Sequence, residues 1–145
     1  MPNKLRNVLA IIAGIVIGGG VNMALIALSP LLIPPPAGVD VSNPESLSKA
    51  MHLFEPRHFV MPFWAHALRT LAGALTAYLA AATYRAQMAY VIGAIFFCGG
   101  VAASFMIPAP SWFIAIDLLA AYLPMAWLSI QIGSRVKQRD NGIKV

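Results

Sequence analysis

The chain reads as an all-α integral membrane protein: a bundle of four transmembrane helices with a short amphipathic helix in its outer loop. Three observations predict this fold. Hydrophobic residues make up 59% of the 145 positions and charged residues only 10%, more apolar surface than a soluble domain of this size can cover. The apolar residues fall into four runs, 8–33, 59–83, 88–107 and 112–133. Each holds about twenty residues or more, enough to cross about 30 Å of hydrocarbon at 1.5 Å per residue. The only strongly ionisable residues within these runs are Arg69 and Asp117, with His66 one helical turn from the arginine. Four crossings and their links use up the length, so residues 1–145 form a single domain.

Run one is much longer than the roughly 7–15 apolar residues of a signal-peptide core, so an uncleaved anchor helix is expected despite Lys4 and Arg6 before it. Pro34-Pro35-Pro36 ends it, because proline supplies no backbone donor. In the loop 34–58, Asn43-Pro44-Glu45 has the form of a helix start: a cap, proline at the first helical position, then an acid. Leu47, Ala50, Met51 and Phe54 follow at three- and four-residue spacing. The spacing predicts a short amphipathic helix on the membrane surface, stopping before Pro56.

Run two carries Pro62 in its first turn, and the short link Tyr84 to Gln87 makes runs two and three antiparallel neighbours. Pro108-Ala109-Pro110-Ser111 separates runs three and four. Run four is read as one helix with a mild kink at Pro124. The basic segment 134–145 is read as a mobile cytoplasmic tail. Cys98 is the sole cysteine, so no internal disulfide can form, and it is read as a small apolar filler.

Basic residues set the orientation. Lys4, Arg6, Arg85, Arg135, Lys137, Arg139 and Lys144 fall on one side, and Lys49 and Arg57 on the other: seven against two. Both termini are therefore placed in the cytoplasm of a bacterial inner membrane, with 34–58 outside. The formal charge of +5 belongs to the ends of the apolar runs, where it reads as topology signal and headgroup contact rather than a nucleic-acid face. Trp64, Trp112 and Tyr122 mark the outer half, and Tyr84, Tyr90 and Trp127 the inner half.

Depth brings the polar residues together. Arg69 and Asn22 lie about 15 Å below the outer boundary, and His66 and Asp117 about 10 Å below it. Side chains lean toward the helix N-terminus, which carries Arg69 outward. One layer is thus expected: Arg69 paired with Asp117, His66 beside them, Asn22 beneath. Two readings stay open: pairing that merely lowers the cost of charge in lipid, or a functional polar site in which His66 is the better proton carrier. Small residues mark the packing faces. Ala10, Gly14, Gly18 and Asn22 form one stripe of run one, and Gly73, Ala77 and Ala81 continue the stripe that starts at Arg69.

Site chemistry is sparse. His52-x-x-Glu55-x-x-His58 lacks the adjacent glutamate and i, i+4 histidine pair of the zinc protease helix, so no metal is assigned. No serine–histidine–acid set or phosphate-binding glycine loop stands out, and neither cofactor nor catalytic residue is expected.

Phe97-Cys98-Gly99-Gly100 with Ser104-Phe105 is similar to the third-helix signature of the small dual-topology fluoride channels. Val101-Ala102-Ala103 replaces that family's hydroxyl-bearing stretch, and run two holds no asparagine. Pro34-Pro35-Pro36, the stretch Met51 to Pro56, Pro62-Phe63-Trp64 leading into His66, and Trp112-Phe113 ahead of Asp117 resemble a group of small, uncharacterised bacterial four-helix inner-membrane proteins. That resemblance spans about residues 5–133 and implies the fold alone. The expected role is a structural or accessory component of a membrane assembly, partnered by the lipid bilayer and by copies of itself or other membrane subunits. The alternative is a small oligomeric transporter or channel using Asn22, His66, Arg69 and Asp117.

Overall fold

The computed structural model of the chain describes residues 1–107 and 109–142. Among the described residues six α-helices run in order: α1 Asn3–Leu32, α2 Pro44–Ala50, α3 Val60–Ala80, α4 Arg85–Met106, α5 Ser111–Ala120 and α6 Leu123–Gly142. Two 3-10 turns, Met51–Leu53 and Pro56–Phe59, join α2 to α3, and no strand occurs among the described residues. Among the described residues three stretches are long and apolar enough to cross a membrane: Asn3–Leu32, Arg85–Met106 and Ser111–Arg139, the last taking in α5 and most of α6.

α3 is the exception, and its place in the bundle explains why. It packs against α1, α4, α5 and α6, and its Ala65, Ala67, Thr70, Gly73, Ala74 and Ala77 are all buried. A helix enclosed by its neighbours can carry Pro62, His66, Arg69 and Thr70, because its solvent is protein. α1 shows the opposite balance. Only Ala10, Gly14 and Gly18 of its thirty residues are buried, while Ile12, Val16 and Met23 stand 51%, 65% and 70% exposed. Its outer faces are as apolar as its packed stripe, the pattern of a helix built for an apolar surrounding.

The α1–α3 crossing is made of backbone. α1 runs antiparallel to α3, with Gly14 opposite Gly73 and Gly18 opposite Arg69. A Cβ on Gly14 would lie 2.6 Å from the Gly73 carbonyl oxygen, and a Cβ on Gly73 would lie 2.6 Å from the Gly14 carbonyl oxygen. One on Gly18 would meet the Arg69 carbonyl at 2.7 Å and the Phe96 ring at 2.8 Å. No side chain fits there. Gly19 and Gly20 face open space and take no part in the contact.

The far end of the same crossing is locked by polar groups. Asn7 Oδ1 accepts from the Ala82 and Thr83 N–H groups at 2.9 and 3.3 Å, and its Nδ2 donates to Thr83 Oγ1 at 3.1 Å. Arg6 Nε donates to the Ala80 carbonyl at 2.8 Å. These bonds satisfy the end of α3 and hold the tight link whose Tyr84 sits in the left-handed region at φ 51°. Arg6 is therefore a structural contact as well as a charge on the flank.

Run four is not one helix with a mild kink. α5 stops at Ala120, the chain bends at 121–122, and Pro124 sits in the first turn of α6, where its missing N–H costs nothing. The segment read as a mobile tail is helical as far as Gly142. Pro108 and residues 143–145 lie outside the described residues. Cys98 is exposed rather than a core filler. Trp64, Trp112, Tyr84, Tyr90 and Trp127 are all 41% exposed or more, whereas Tyr122, read with them, is 1% exposed.

Candidate functional site

The loop 34–58 is a built element. Asn43 Oδ1 accepts from the Glu45 and Ser46 N–H groups at 2.9 and 3.2 Å, capping α2 with Pro44 in its first turn. Ser42 donates its backbone N–H and its hydroxyl to Asp40 Oδ1 at 2.9 and 2.6 Å, which holds that carboxyl below the usual carboxylate range. The Glu55 N–H donates to His58 Nδ1 at 2.9 Å. Aromatic rings then dock the loop on α5. Phe54 lies 6.2 Å from Phe59, and Phe59 lies 4.8 Å from Phe113 and 5.5 Å from Trp112 between ring centroids.

Beneath this loop lies a cavity of about 320 Å³, within the usual range of ligand pockets. Leu47, Met51 and Phe54 roof it, so the apolar face of the loop helix turns toward the protein's own interior. Ile26, Ser29 and Pro30 of α1, with Ile33 just after it, form one wall, and Gly100, Ala103 and Ser104 of α4 form another. Phe113, Ile114 and Leu118 of α5 close the third side. His66 and Asp117 contribute the polar part of the lining. The other polar lining residues are Ser29, His58 and Ser104; Ser104 donates to the Val101 carbonyl at 2.7 Å and His58 is bonded to Glu55.

The floor departs from the expected Arg69–Asp117 pair. Asp117 is 5% exposed, and its two carboxylate oxygens each lie 2.9 Å from His66 Nδ1. The Tyr122 hydroxyl donates to Asp117 Oδ2 at 3.0 Å, and the Tyr122 ring stacks on His66 at 6.1 Å and 28°. The break in run four makes this possible. Residues five apart lie about 140° apart around a continuous α-helix, so Tyr122 reaches Asp117 only because α5 ends between them. Gly100 supplies the space, since a Cβ there would collide with the Tyr122 hydroxyl.

Arg69 forms no ion pair with this set among the described residues. Its guanidinium carbon lies 4.0 Å over the centre of the Phe96 ring, a cation–π contact, and its Nη2 lies 3.5 Å from where a Gly99 Cβ would stand. Arg69 Nε and Asn22 Oδ1 are buried with no hydrogen-bond partner among the described residues. The four polar residues thus divide: His66 and Asp117 meet, while Arg69 and Asn22 stay outside their hydrogen bonds. Gly14, Gly18, Gly73 and Ala77 lie in the buried interior. No group of three or more metal-ligating side chains occurs among the described residues.

Tyr122 is the site residue that the sequence reading missed, and Pro124 was the available signal. A proline in the first turn of a new helix puts the break before it and frees Tyr122 to turn inward.

In the neutral tautomer that donates Nδ1–H to Asp117, His66 keeps Nε2 as an acceptor. Asp117 fixes the ring's tautomer and orientation, as a carboxylate does for an imidazole in hydrolase triads. Compared with family models, with curated proteins and with solved structures, the chain matches none.

Proposed function

We propose that the chain is a four-crossing protein of the bacterial inner membrane that holds a small, mainly apolar molecule in its outer half, as an accessory component of a membrane assembly. In this reading α1, α3, α4 and the α5–α6 pair each cross once. Both termini are cytoplasmic, and the 34–58 loop closes the cavity from outside. The seven-to-two distribution of basic residues supports the orientation. The apolar outer faces of α1 support immersion in lipid, and enclosure of α3 by the other helices supports a crossing for it despite Arg69.

One observation carries the binding role: an apolar cavity of about 320 Å³ meets the hydrogen-bonded His66–Asp117 pair in its lining. A core that served packing alone would be filled to crystal-like density. A binding role needs no reacting group beyond these, and none is assigned. The second reading, an oligomeric carrier or channel, draws on Arg69 Nε and Asn22 Oδ1, which are buried and unpartnered. Transport in this reading requires a second copy, because one bundle of this size encloses little volume.

Native mass spectrometry of the protein purified in mild detergent tests the proposal. The wild-type chain is expected to carry a stoichiometric small-molecule adduct, and Ala103→Trp, which fills the cavity, is expected to lose it while keeping its thermal midpoint. A wild-type protein that carries no adduct, yet moves a solute across liposomes as an oligomer, favours the carrier.

A further inference from the structure

We infer that the cavity takes a membrane-borne amphiphile with a hydroxyl head, whose O–H donates to His66 Nε2 and whose chain leaves between the ends of α1 and α4. This rests on the binding role proposed above and adds the chemistry of the ligand.

The head group follows from the free valences of the floor. Both carboxylate oxygens of Asp117 are in use, sharing the His66 Nδ1 contact, with Oδ2 also accepting from Tyr122. The Tyr122 hydroxyl spends its proton on that carboxylate. His66 lines the cavity, its Nδ1 is committed to Asp117, and its Nε2 has no partner among the described residues. At Nε2 of the neutral imidazole the unmet requirement is a hydrogen-bond donor. A hydroxyl meets it. A carboxylate or phosphate would set an acceptor against a lone pair, and an ether would leave the nitrogen unpaired.

The chain follows from the walls. Ile26 and Ile33 at the end of α1 and Ala103 and Ile107 at the end of α4 line the cavity together. These two ends carry the three most exposed large apolar side chains among the described residues, Phe105, Met106 and Leu31, beside Leu32. Leu31 and Leu32 are 78% and 66% exposed, and Phe105 and Met106 are 87% and 80% exposed. A methylene chain passing between these two ends meets apolar side chains on both sides. A volume of about 320 Å³ holds the head and the first part of a chain, not a whole lipid.

The test uses the full chain in phosphatidylcholine nanodiscs with 1-dodecanol, its methyl ether, dodecanoate and 1-butanol as probes. The alcohol is expected to bind about tenfold more tightly than the ether, the discrimination of one buried hydrogen bond. On binding, the ¹⁵N resonance of His66 Nε2 is expected to shift. His66→Phe is expected to abolish the alcohol's advantage and leave ether binding within about twofold of wild type. Equal binding of alcohol and ether overturns the assignment of the head, as does tighter binding of dodecanoate. Competition by 1-butanol as strong as by 1-dodecanol overturns the chain. If Ala103→Trp weakens all long-chain probes, the cavity stands even where the head assignment falls. If it weakens none, the binding role itself fails.

Discussion

Substituting leucine at Gly14 or at Gly73 is expected to abolish the folded, monodisperse protein. The two glycines meet through their backbones, and even a single added carbon would stand 2.6 Å from a carbonyl oxygen that cannot rotate aside. The Gly14 side also meets Ile92 at 3.0 Å, so α1 would have to leave both α3 and α4. Alanine at either position is the milder version and is expected to cost about 1–3 kcal/mol in unfolding from mixed micelles. The double alanine variant should cost less than the sum of the singles, because both strain one contact. Gly19→Leu and Gly20→Leu provide the control. Nothing lies within 4 Å of either position, and a change within about 0.5 kcal/mol is expected.

Loss of Asp117 is expected to be nearly as damaging. Asp117→Leu leaves the His66 Nδ1–H and the Tyr122 hydroxyl without an acceptor in a buried site. A cost of about 3–5 kcal/mol follows for the pair of stranded donors. Asp117→Asn keeps the shape and one acceptor oxygen and is expected to cost about 1–2 kcal/mol. Arg69→Leu separates this geometry from an Arg69–Asp117 ion pair. Arg69 rests on Phe96 rather than on the carboxylate, so its removal should cost clearly less than that of Asp117. Exchanging the two charges, Arg69→Asp with Asp117→Arg, should not restore stability. Equal single costs with rescue by the exchange would instead establish the ion pair.

The parts of the bundle that were legible in the sequence are those written in helical period. Ala10, Gly14 and Gly18 share a stripe because every fourth residue returns to one face, and they are the residues α1 buries. Depth, at a fixed rise per residue, likewise brings His66 and Asp117 to one level. The partner of Asp117 was not legible, because it depends on how far α5 is rotated and on the chain breaking at 121–122. Neither is a periodic signal. Asn7 escaped for a related reason. It stands beside Lys4 and Arg6 in a flank that reads as charge alone, and its role appears only when 80–83 is brought back across the antiparallel crossing. The loop helix was recognised from its cap and its spacing. That its apolar face covers a cavity depended on Phe54 and Phe59 docking against α5, a contact between distant parts of the chain.

The proposed place of the cavity in an outer leaflet requires that the bundle cross the membrane four times in one orientation. Single cysteines in a Cys98→Ala background, labelled in whole cells by a membrane-impermeant maleimide, measure this directly. Lys49→Cys and Ser111→Cys are expected to label in intact cells. Asn3→Cys, Tyr84→Cys and Gln138→Cys are expected to label only after the inner membrane is opened. Labelling of Tyr84→Cys in intact cells, or protection of Lys49→Cys there, would contradict the crossings and the placement of the cavity together.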